Sequence, residues 1–358
     1  MQVIPPVTVT DSTLISSTIY ETFTALYSGA TTYALNAVVT VPDSGLGTTG
    51  AVYKSLQAGN LNKSPDSNPS WWVIVARTVA KTYDSGVTYA ADARCLDMTN
   101  HMYYISMQSG NLGNDPSASP EWWLEISPSY KWAMFNLTRN NRSSAPLSFT
   151  VVFTPGQRVN SLALSGIRAN SYVLTVTSVS GGGTIYSSSG ALAKREVASW
   201  YDYFYEPFSA SQNTLAFFDI PPFSDAIFTL TLTASEGDAE LAAVVFGTFV
   251  YIGAAQYRAI SDVLNFSTIA RDADGIAVLT QRRNVPKTRQ TVLCEKRLVN
   301  KILALRTQLN AEPAFWFALN DDSDGYFETV AILGIYKQFG ISLDYPEHAN
   351  IALELEEI

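Results

Sequence analysis

Strict alternation of apolar and other residues marks the middle of the chain. FTLTLT, residues 228–233, places Phe or Leu at every second position, and YVLTVT, residues 172–177, does the same with Tyr, Leu and Val. A period of two is typical of strands with one buried face. The runs SFTVVF, TLAFFDI and AAVVFGTFVYI add further strands, with turn signals at SGGG and at Pro221–Pro222. Roughly eight short strands between residues 145 and 254 predict that residues 129–255 form an antiparallel β-sandwich resembling a jelly roll.

The periodicity changes near the C-terminus. Leu298, Ile302, Leu305 and Leu309 recur at spacings of three and four, which predicts an amphipathic helix over about 292–310. The strand-like segments AFWFAL, VAILGIY and IALELEEI follow, so residues 256–358 are expected to form an α+β domain with one helix over a sheet. NDDSDGYFE, from Asn320, resembles a calcium loop in its offsets. Its twelfth position is Ala331 and not Glu, which favours a hairpin turn.

A repeat occupies the first third of the chain. Tyr53–Trp72 aligns with Tyr104–Trp123 without a gap, and the two stretches share a Tyr, Ser, Gln, Gly, Asn, Leu, two Pro and two Trp. Each copy reads as three short strands with a polar loop before the last one. We therefore predict an N-terminal arm, residues 1–30, followed by two small modules, residues 31–77 and 83–128.

Each module contains a tryptophan pair. Neighbouring side chains on a strand point to opposite faces, so one ring of each pair can close a small core while the other faces outward. An outward indole offers an apolar face to a sugar ring, and nearby Gln and Asn can bond its hydroxyls. The alternative is that both rings are structural, one for the module and one for a neighbour. The candidate carbohydrate-binding residues are Tyr53, Gln57, Asn60, Trp71 and Trp72 in the first module, and Tyr104, Gln108, Asn111, Trp122 and Trp123 in the second.

Composition and charge narrow the class of protein. The net charge of −9 and the absence of a Lys/Arg-rich run argue against nucleic acid as a partner. The longest uncharged run, residues 241–257, is too short for a membrane span and reads as one or two buried strands. Cys95 and Cys294 fit neither a metal site nor a disulfide framework and are expected to be buried apolar residues. No cofactor or metal is expected.

Catalysis has few candidate groups. The two histidines, His101 and His348, lie in no recognisable nucleophile motif. Asp97, Glu121 and Glu125 lie near the repeats, but spacing alone does not locate a glycosidase carboxylate pair. We interpret these residues as surface groups and expect a protein that is not an enzyme; a polysaccharide depolymerase is the least favoured reading.

Two resemblances follow from these motifs. The pattern Y–(turn)–VY–S–Q–GN–P–WW resembles the small chitinase-type carbohydrate-binding module, in which exposed aromatic residues stack on polysaccharide. The opening VTVTDSTLISSTIYE, then YSGATTYALNAVV, KWAMFN and VNSLALSG, is similar to structural proteins of tailed bacteriophages. The second resemblance implies a tail-tip or baseplate protein, made in the host cytoplasm without a signal peptide and carried in the virion. Its partners would be other tail proteins, further copies of itself and host-surface polysaccharide. The rival expectation is a purely structural adaptor whose modules clip tail subunits together.

Overall fold

The structure is a computed structural model that describes residues 1–138, 140–194, 199–205, 210–271, 274–320 and 324–358. Strands predominate in these residues, as the alternation predicted. The strands before residue 130 are β1 Gln2–Ile4, β2 Leu14–Ser17, β3 Val38–Pro42, β4 Thr49–Ser55, β5 Trp72–Ala80, β6 Arg94–Asp97, β7 Met102–Ser106 and β8 Trp123–Pro128. Those of the middle are β9 Ser143–Phe153, β10 Ser161–Ser165, β11 Ser171–Thr177, β12 Thr184–Ala191, β13 Ala193–Lys194, β14 Ala210–Ser211, β15 Thr214–Phe217, β16 Ile227–Leu241, β17 Ala243–Gly247, β18 Val250–Tyr251 and β19 Ala254–Ala255.

The last third of the chain adds seven strands and most of the helical residues. Its strands are β20 Ile260–Asn265, β21 Thr268–Arg271, β22 Ala277–Thr280, β23 Asn284–Glu295, β24 Ala314–Phe317, β25 Ile332–Ser342 and β26 His348–Glu357. The helices in the described residues are α1 Trp200–Tyr205, α2 Val299–Gln308 and α3 Phe327–Val330, with 3-10 turns at Pro65–Ser67, Ala133–Phe135 and Lys296–Leu298.

The predicted sandwich is present. One sheet has the order β12-β11-β16-β9-β2 and the other has the order β15-β10-β17, and all pairings within them are antiparallel. Their facing sides share one apolar core in which Phe153, Phe228 and Phe246 pack against one another. The alternation in FTLTLT has the expected cause, because the Phe and Leu face this core and the threonines between them face away.

The three-stranded sheet is buried on both faces. Leu162 and Leu164 of β10 face the sandwich core, whereas Ala163 faces a second core formed with Ile4, Phe315 and Phe317 of the C-terminal sheet. A strand covered on both sides gains from apolar residues at every position. This explains why the segments LALS, TLAF and AVVFG are nearly continuous apolar runs that lack alternation.

The C-terminal unit is an eight-stranded sheet covered by a helix. Its order is β18-β1-β24-β25-β26-β23-β19, with β20 also paired to β23. Helix α2 lies on the face turned away from the sandwich, where Ile302, Leu305 and Leu309 pack with Trp316. The sandwich and the C-terminal unit therefore form a stack of three sheets and a helix, and the α+β expectation holds for this end of the chain.

Two predicted boundaries were wrong. Residues 1–30 are not a separate arm, because β1 belongs to the C-terminal sheet and β2 to the sandwich. The helix predicted over about 292–310 begins only at Val299, since Val292 and Cys294 are buried strand residues paired with β26. The apolar spacing of three and four is real from Leu298 onward, and the residues before it obey the period of two. Residues 321–323, within the predicted hairpin turn, lie outside the described residues.

Cys95 and Cys294 are buried free thiols, as expected, and burial raises the pKa of Cys95 to about 12.

The ribbon β20–β23 extends past the sheet, and its distal strands β21 and β22 are exposed, including Ile269 and Leu279. None of the helices in the described part of the chain has the length and apolar character needed to cross a bilayer.

Candidate functional site: the paired-tryptophan modules

The two repeats fold into matching three-stranded antiparallel sheets, β3-β4-β5 and β6-β7-β8. Their centres superpose in register, because Tyr53 pairs with Val39 as Tyr104 pairs with Cys95. Each central strand also has a register shift against its last strand, near Tyr53 in one module and Tyr104 in the other. The sequence repeat is therefore a repeat of structure down to the irregularity.

Three aromatic rings form the centre of each module. In the first, Tyr33 meets the edge of Trp72 at 5.2 Å between centroids and stacks on Tyr27 at 5.8 Å. In the second, Tyr89 meets Trp123 at 5.0 Å and stacks on Tyr83 at 5.8 Å. Ring pairs at these separations contribute about 0.5–1.5 kcal/mol beyond the area they bury. The second tryptophan of each pair is therefore the inward ring.

The polar loop is attached to this inward ring. Trp72 Nε1 donates to the carbonyl of Lys63 at 2.7 Å, and Trp123 Nε1 donates to the carbonyl of Asn114 at 2.9 Å. The two tryptophans are only 3% and 2% exposed. Since the indole nitrogen and the ring are both occupied, Trp72 and Trp123 hold the loop and offer no face to a ligand.

A buried asparagine fixes the other end of each loop. The backbone of Asn60 exchanges two hydrogen bonds with Tyr33, and its Nδ2 donates to Ser55 Oγ at 2.9 Å. Asn111 makes the same bonds to Tyr89 and to Ser106 Oγ. Both asparagines are buried, so they act as structural hubs and not as sugar contacts.

The glutamines and tyrosines at the candidate positions behave less uniformly. Gln57 Nε2 donates to the carbonyl of Ser70 at 2.9 Å and Gln108 Nε2 to that of Glu121 at 3.3 Å, while both side chains stay exposed. Tyr53 is half-buried and its hydroxyl donates to Asp66 Oδ1 at 2.6 Å. Burial, the bond to Asp66 and nearby negative charge raise its pKa to about 12. Tyr104 is buried, and desolvation followed by the charge of Glu125 raises its pKa.

The first tryptophan of each pair faces outward. Trp71 and Trp122 are both partly exposed, which matches the predicted division of the pair into an inward and an outward ring. Lys63 Nζ lies 5.8 Å from the centroid of Trp71, within the range of a cation–π contact. Trp122 is partly buried and packs against the core of its own module. In the polar loops, Leu61 and Leu112 are about half exposed in the two copies.

Five of the ten candidate residues therefore remain as possible ligand contacts. The buried residues Asn60, Trp72, Tyr104, Asn111 and Trp123 build the modules, and burial removes them from the surface. Tyr53, Gln57, Trp71, Gln108 and Trp122 keep accessible atoms. The division follows from strand alternation for the tryptophans, but the burial of the asparagines follows from loop hydrogen bonds that alternation does not describe.

The outer tyrosine of each aromatic trio was missed at the sequence level. Tyr27 and Tyr83 each precede the inner tyrosine by six positions, in a Tyr-x5-Tyr-Ala pattern present in both copies. The backbone of Tyr27 pairs with Thr40, and that of Tyr83 pairs with Leu96 in the same way. The first module therefore begins before residue 31, whereas Tyr83 lies at the predicted start of the second. Extending the repeat alignment upstream would have revealed this signal.

A polar cluster anchors the second module to the body. The buried carboxylate of Glu21 contacts His101 Nδ1 at 2.7 Å, Ser129 Oγ at 2.8 Å and Lys131 Nζ at 3.5 Å. His101 Nε2 also lies 3.1 Å from Asp11 Oδ1. The surface role expected for His101 was wrong, because its ring is mostly buried between these two carboxylates. The cluster joins the N-terminal segment, the β6–β7 turn and the residues after β8.

The first module is anchored by a simpler contact. Arg77 Nε donates to both carboxylate oxygens of Asp238 on β16, at 2.8 and 3.0 Å. The arginine side chain is more than half exposed, so solvent screens this pair. No linker separates the modules, since β5 continues to Ala80 and Lys81 already bonds the second sheet.

Asp97 is used in its turn, where Thr99 N and Asn100 Nδ2 donate to its carboxylate. Among the residues that the structure describes, no group of three or more His, Cys, Asp or Glu side chains is placed to hold a metal. The accessible groups are aromatic faces, amides and a few charges.

Comparison with known proteins adds no assignment. No protein-family model matches the chain, and no curated protein sequence is significantly similar to it.

Proposed function

We propose that the chain is a structural protein of a bacteriophage tail tip or baseplate, and that its two modules bind host-surface carbohydrate weakly and multivalently. One observation carries the binding proposal. Most residues shared by the two repeats are buried or hydrogen-bonded within their module, whereas Trp71 and Trp122 are aromatic and remain partly exposed at its surface. An exposed aromatic face is costly to leave in water and suits the C–H face of a sugar ring.

The virion location, the origin in the host cytoplasm and the tail partners rest on the resemblance of the opening and central segments to tailed-phage structural proteins. Weak sites become useful there, because two modules per chain and several chains per particle raise the effective concentration of each site. The role requires no catalysis.

Binding to host cells tests the proposal directly. In the full chain, Trp71→Ala and Trp122→Ala should each lower retention on host-surface polysaccharide about two- to tenfold, since a stacked ring contributes roughly 0.5–1.5 kcal/mol. The double variant should bind least. Phe223→Ala, which removes an exposed aromatic ring from a sandwich loop, is the matched control and should bind normally. Unchanged retention of the double variant contradicts the proposal.

A structural adaptor is the second candidate, and a specific observation favours it. The ribbon β20–β23 carries exposed Ile269, Val278 and Leu279, and α1 carries exposed Trp200 and Phe204. Large apolar side chains gathered on a ribbon and a short helix suit contacts with neighbouring subunits. If the modules also serve this role, the double tryptophan variant will reduce particle assembly and leave adsorption per assembled particle unchanged.

A further inference from the structure

The two modules carry opposite charge on the same framework. The stretch Tyr53–Trp72 contains Lys54, Lys63 and Asp66, whereas the matching stretch Tyr104–Trp123 contains Asp115 and Glu121 and no basic residue. Asp66 is already bonded to the Tyr53 hydroxyl. The outward ring of the first module therefore has a cation beside it, and the outward ring of the second has none.

Lys63 occupies the position that corresponds to Asn114 in the second module. Asn114 Nδ2 donates to Asn111 Oδ1 at 2.9 Å and so completes the bonding of the buried hub. In the first module the corresponding atom, Asn60 Oδ1, is buried without a partner among the described residues. A buried acceptor left unpaired is destabilising. Lys63 thus weakens the framework at a position where the other copy strengthens it.

The side chain of Lys63 is used at the surface instead. Its ammonium lies over the Trp71 ring, 5.8 Å from the centroid. A lysine ammonium is a hydrated point charge on a flexible stem, so it can swing from the ring face to an anionic group at the edge of the ring and leave the face to the sugar. Stacking and charge can then act on one ligand.

We propose that the first module selects an acidic glycan, one bearing carboxylate groups, through Lys63 beside the stacking face of Trp71, and that the second module does not. The proposal rests on the carbohydrate-binding function above and names the ligand class of one of its two sites. The carboxylate of a uronic acid residue pairs with the ammonium while its ring packs on the indole. In the second module Asp115 and Glu121 repel such a ligand, so its site takes neutral sugar.

Paired probes isolate the charge. Oligosaccharides of galacturonate, mannuronate and glucuronate are compared with their methyl esters, which keep the sugar ring and remove the negative charge. At low salt the full-length Trp122→Ala protein, in which the second site is removed, should bind at least one free acid about two- to fivefold more tightly than its ester, the range expected of one exposed ion pair. The preference should shrink as salt is added. Equal binding of acid and ester, or binding of neither, overturns the proposal.

Lys63→Asn copies the second module and separates charge from folding. Its new amide can bond Asn60 Oδ1, so the variant should unfold no more readily than the wild type while it loses the preference for the acid. Asn114→Lys should gain a weaker preference and lose stability. If Lys63→Asn keeps the full preference, the charge assignment fails.

The same experiment distinguishes this inference from the function on which it rests. Trp71→Ala should weaken binding of both acid and ester to the first module, and Trp122→Ala should leave the acid preference intact. If Trp71→Ala lowers binding but acid and ester bind alike, carbohydrate binding stands and acid selection falls. If Trp71→Ala changes neither, both fall.

Discussion

The two modules have the same framework but differ in what surrounds it. In both, a tyrosine pair packs on the inward tryptophan, a buried asparagine ties the loop, and the outward tryptophan is partly exposed. They differ in their attachment to the body, through Glu21 and His101 in one case and through Arg77 in the other. They also differ in the charge beside the outward ring. The comparison separates residues that make the module from residues that adapt it to its place.

The first test of this separation compares the two tryptophans within one pair. Trp123→Ala removes a ring that is buried in the core of the second module, and such truncations cost about 3–5 kcal/mol. Trp122→Ala, its neighbour on the outward side, should cost less, about 1–2 kcal/mol, because its ring packs against that core but stays partly exposed. Hydrogen exchange of the amides in β6–β8 would measure both. Equal losses of protection would show that the outward ring is also structural.

The same change in the first module refines the comparison. Trp72→Ala should be destabilising for the same reason, but by less than Trp123→Ala. The core of the second module joins Tyr89, Tyr104 and Trp123 in one buried cluster, whereas the buried cluster of the first is built on Val52 and Val79. Protection in β3–β5 that falls further than in β6–β8 would contradict this ranking.

The second test concerns the anchors. Glu21→Ala removes the carboxylate that contacts His101, Ser129 and Lys131 in a buried setting, and hydrogen bonds to a charged group contribute about 1.5–3 kcal/mol each. Arg77→Ala removes an exposed ion pair and should cost less than about 1 kcal/mol. Denaturant unfolding measures both.

Glu21→Gln is the matched control for the first anchor. It preserves the size of the side chain and one acceptor oxygen, so it should be milder than Glu21→Ala. If Arg77→Ala proves as damaging as Glu21→Ala, the two attachments are equivalent and the comparison must be revised.

The third and smallest effect is a loss of stability at alkaline pH, when Tyr53 loses its proton. Tyr53 has a pKa of about 12 in the folded protein because of burial and the bond to Asp66, against 10 for a free tyrosine. A raised pKa means that the neutral phenol is favoured by folding, so its contribution is complete below pH 10 and is lost as the pH rises through about 12. The difference in tyrosinate absorbance between the wild type and Tyr53→Phe should show this late titration. A midpoint near 10 would mean that neither the burial of Tyr53 nor its bond to Asp66 holds in solution.

Sequence patterns located most of the fold and part of the site. Alternation at 228–233 identified a sandwich strand, and the tryptophan pairs identified both modules with their inward and outward rings. Other features depend on contacts that local patterns do not contain. The predicted start of the helix at Val292 was wrong, because the apolar residues of a buried strand and of a helix cannot be told apart by their hydrophobicity alone. The burial of Asn60 and Glu21 was not predicted, because polar residues are buried only where distant partners satisfy them.

Strand β1 imposes an order on the making of this protein. It is synthesised long before β24, yet Val3 and Ile4 pair with Trp316 and Phe315 of that strand. Both residues are fully buried in the folded molecule, so they remain without these partners until β24 has emerged from the ribosome. Pairings between such distant segments close slowly, because a long loop must be ordered first. A translation product that stops before β24 therefore leaves the apolar residues of β1 without this partner strand, which makes it a target for chaperones and proteases.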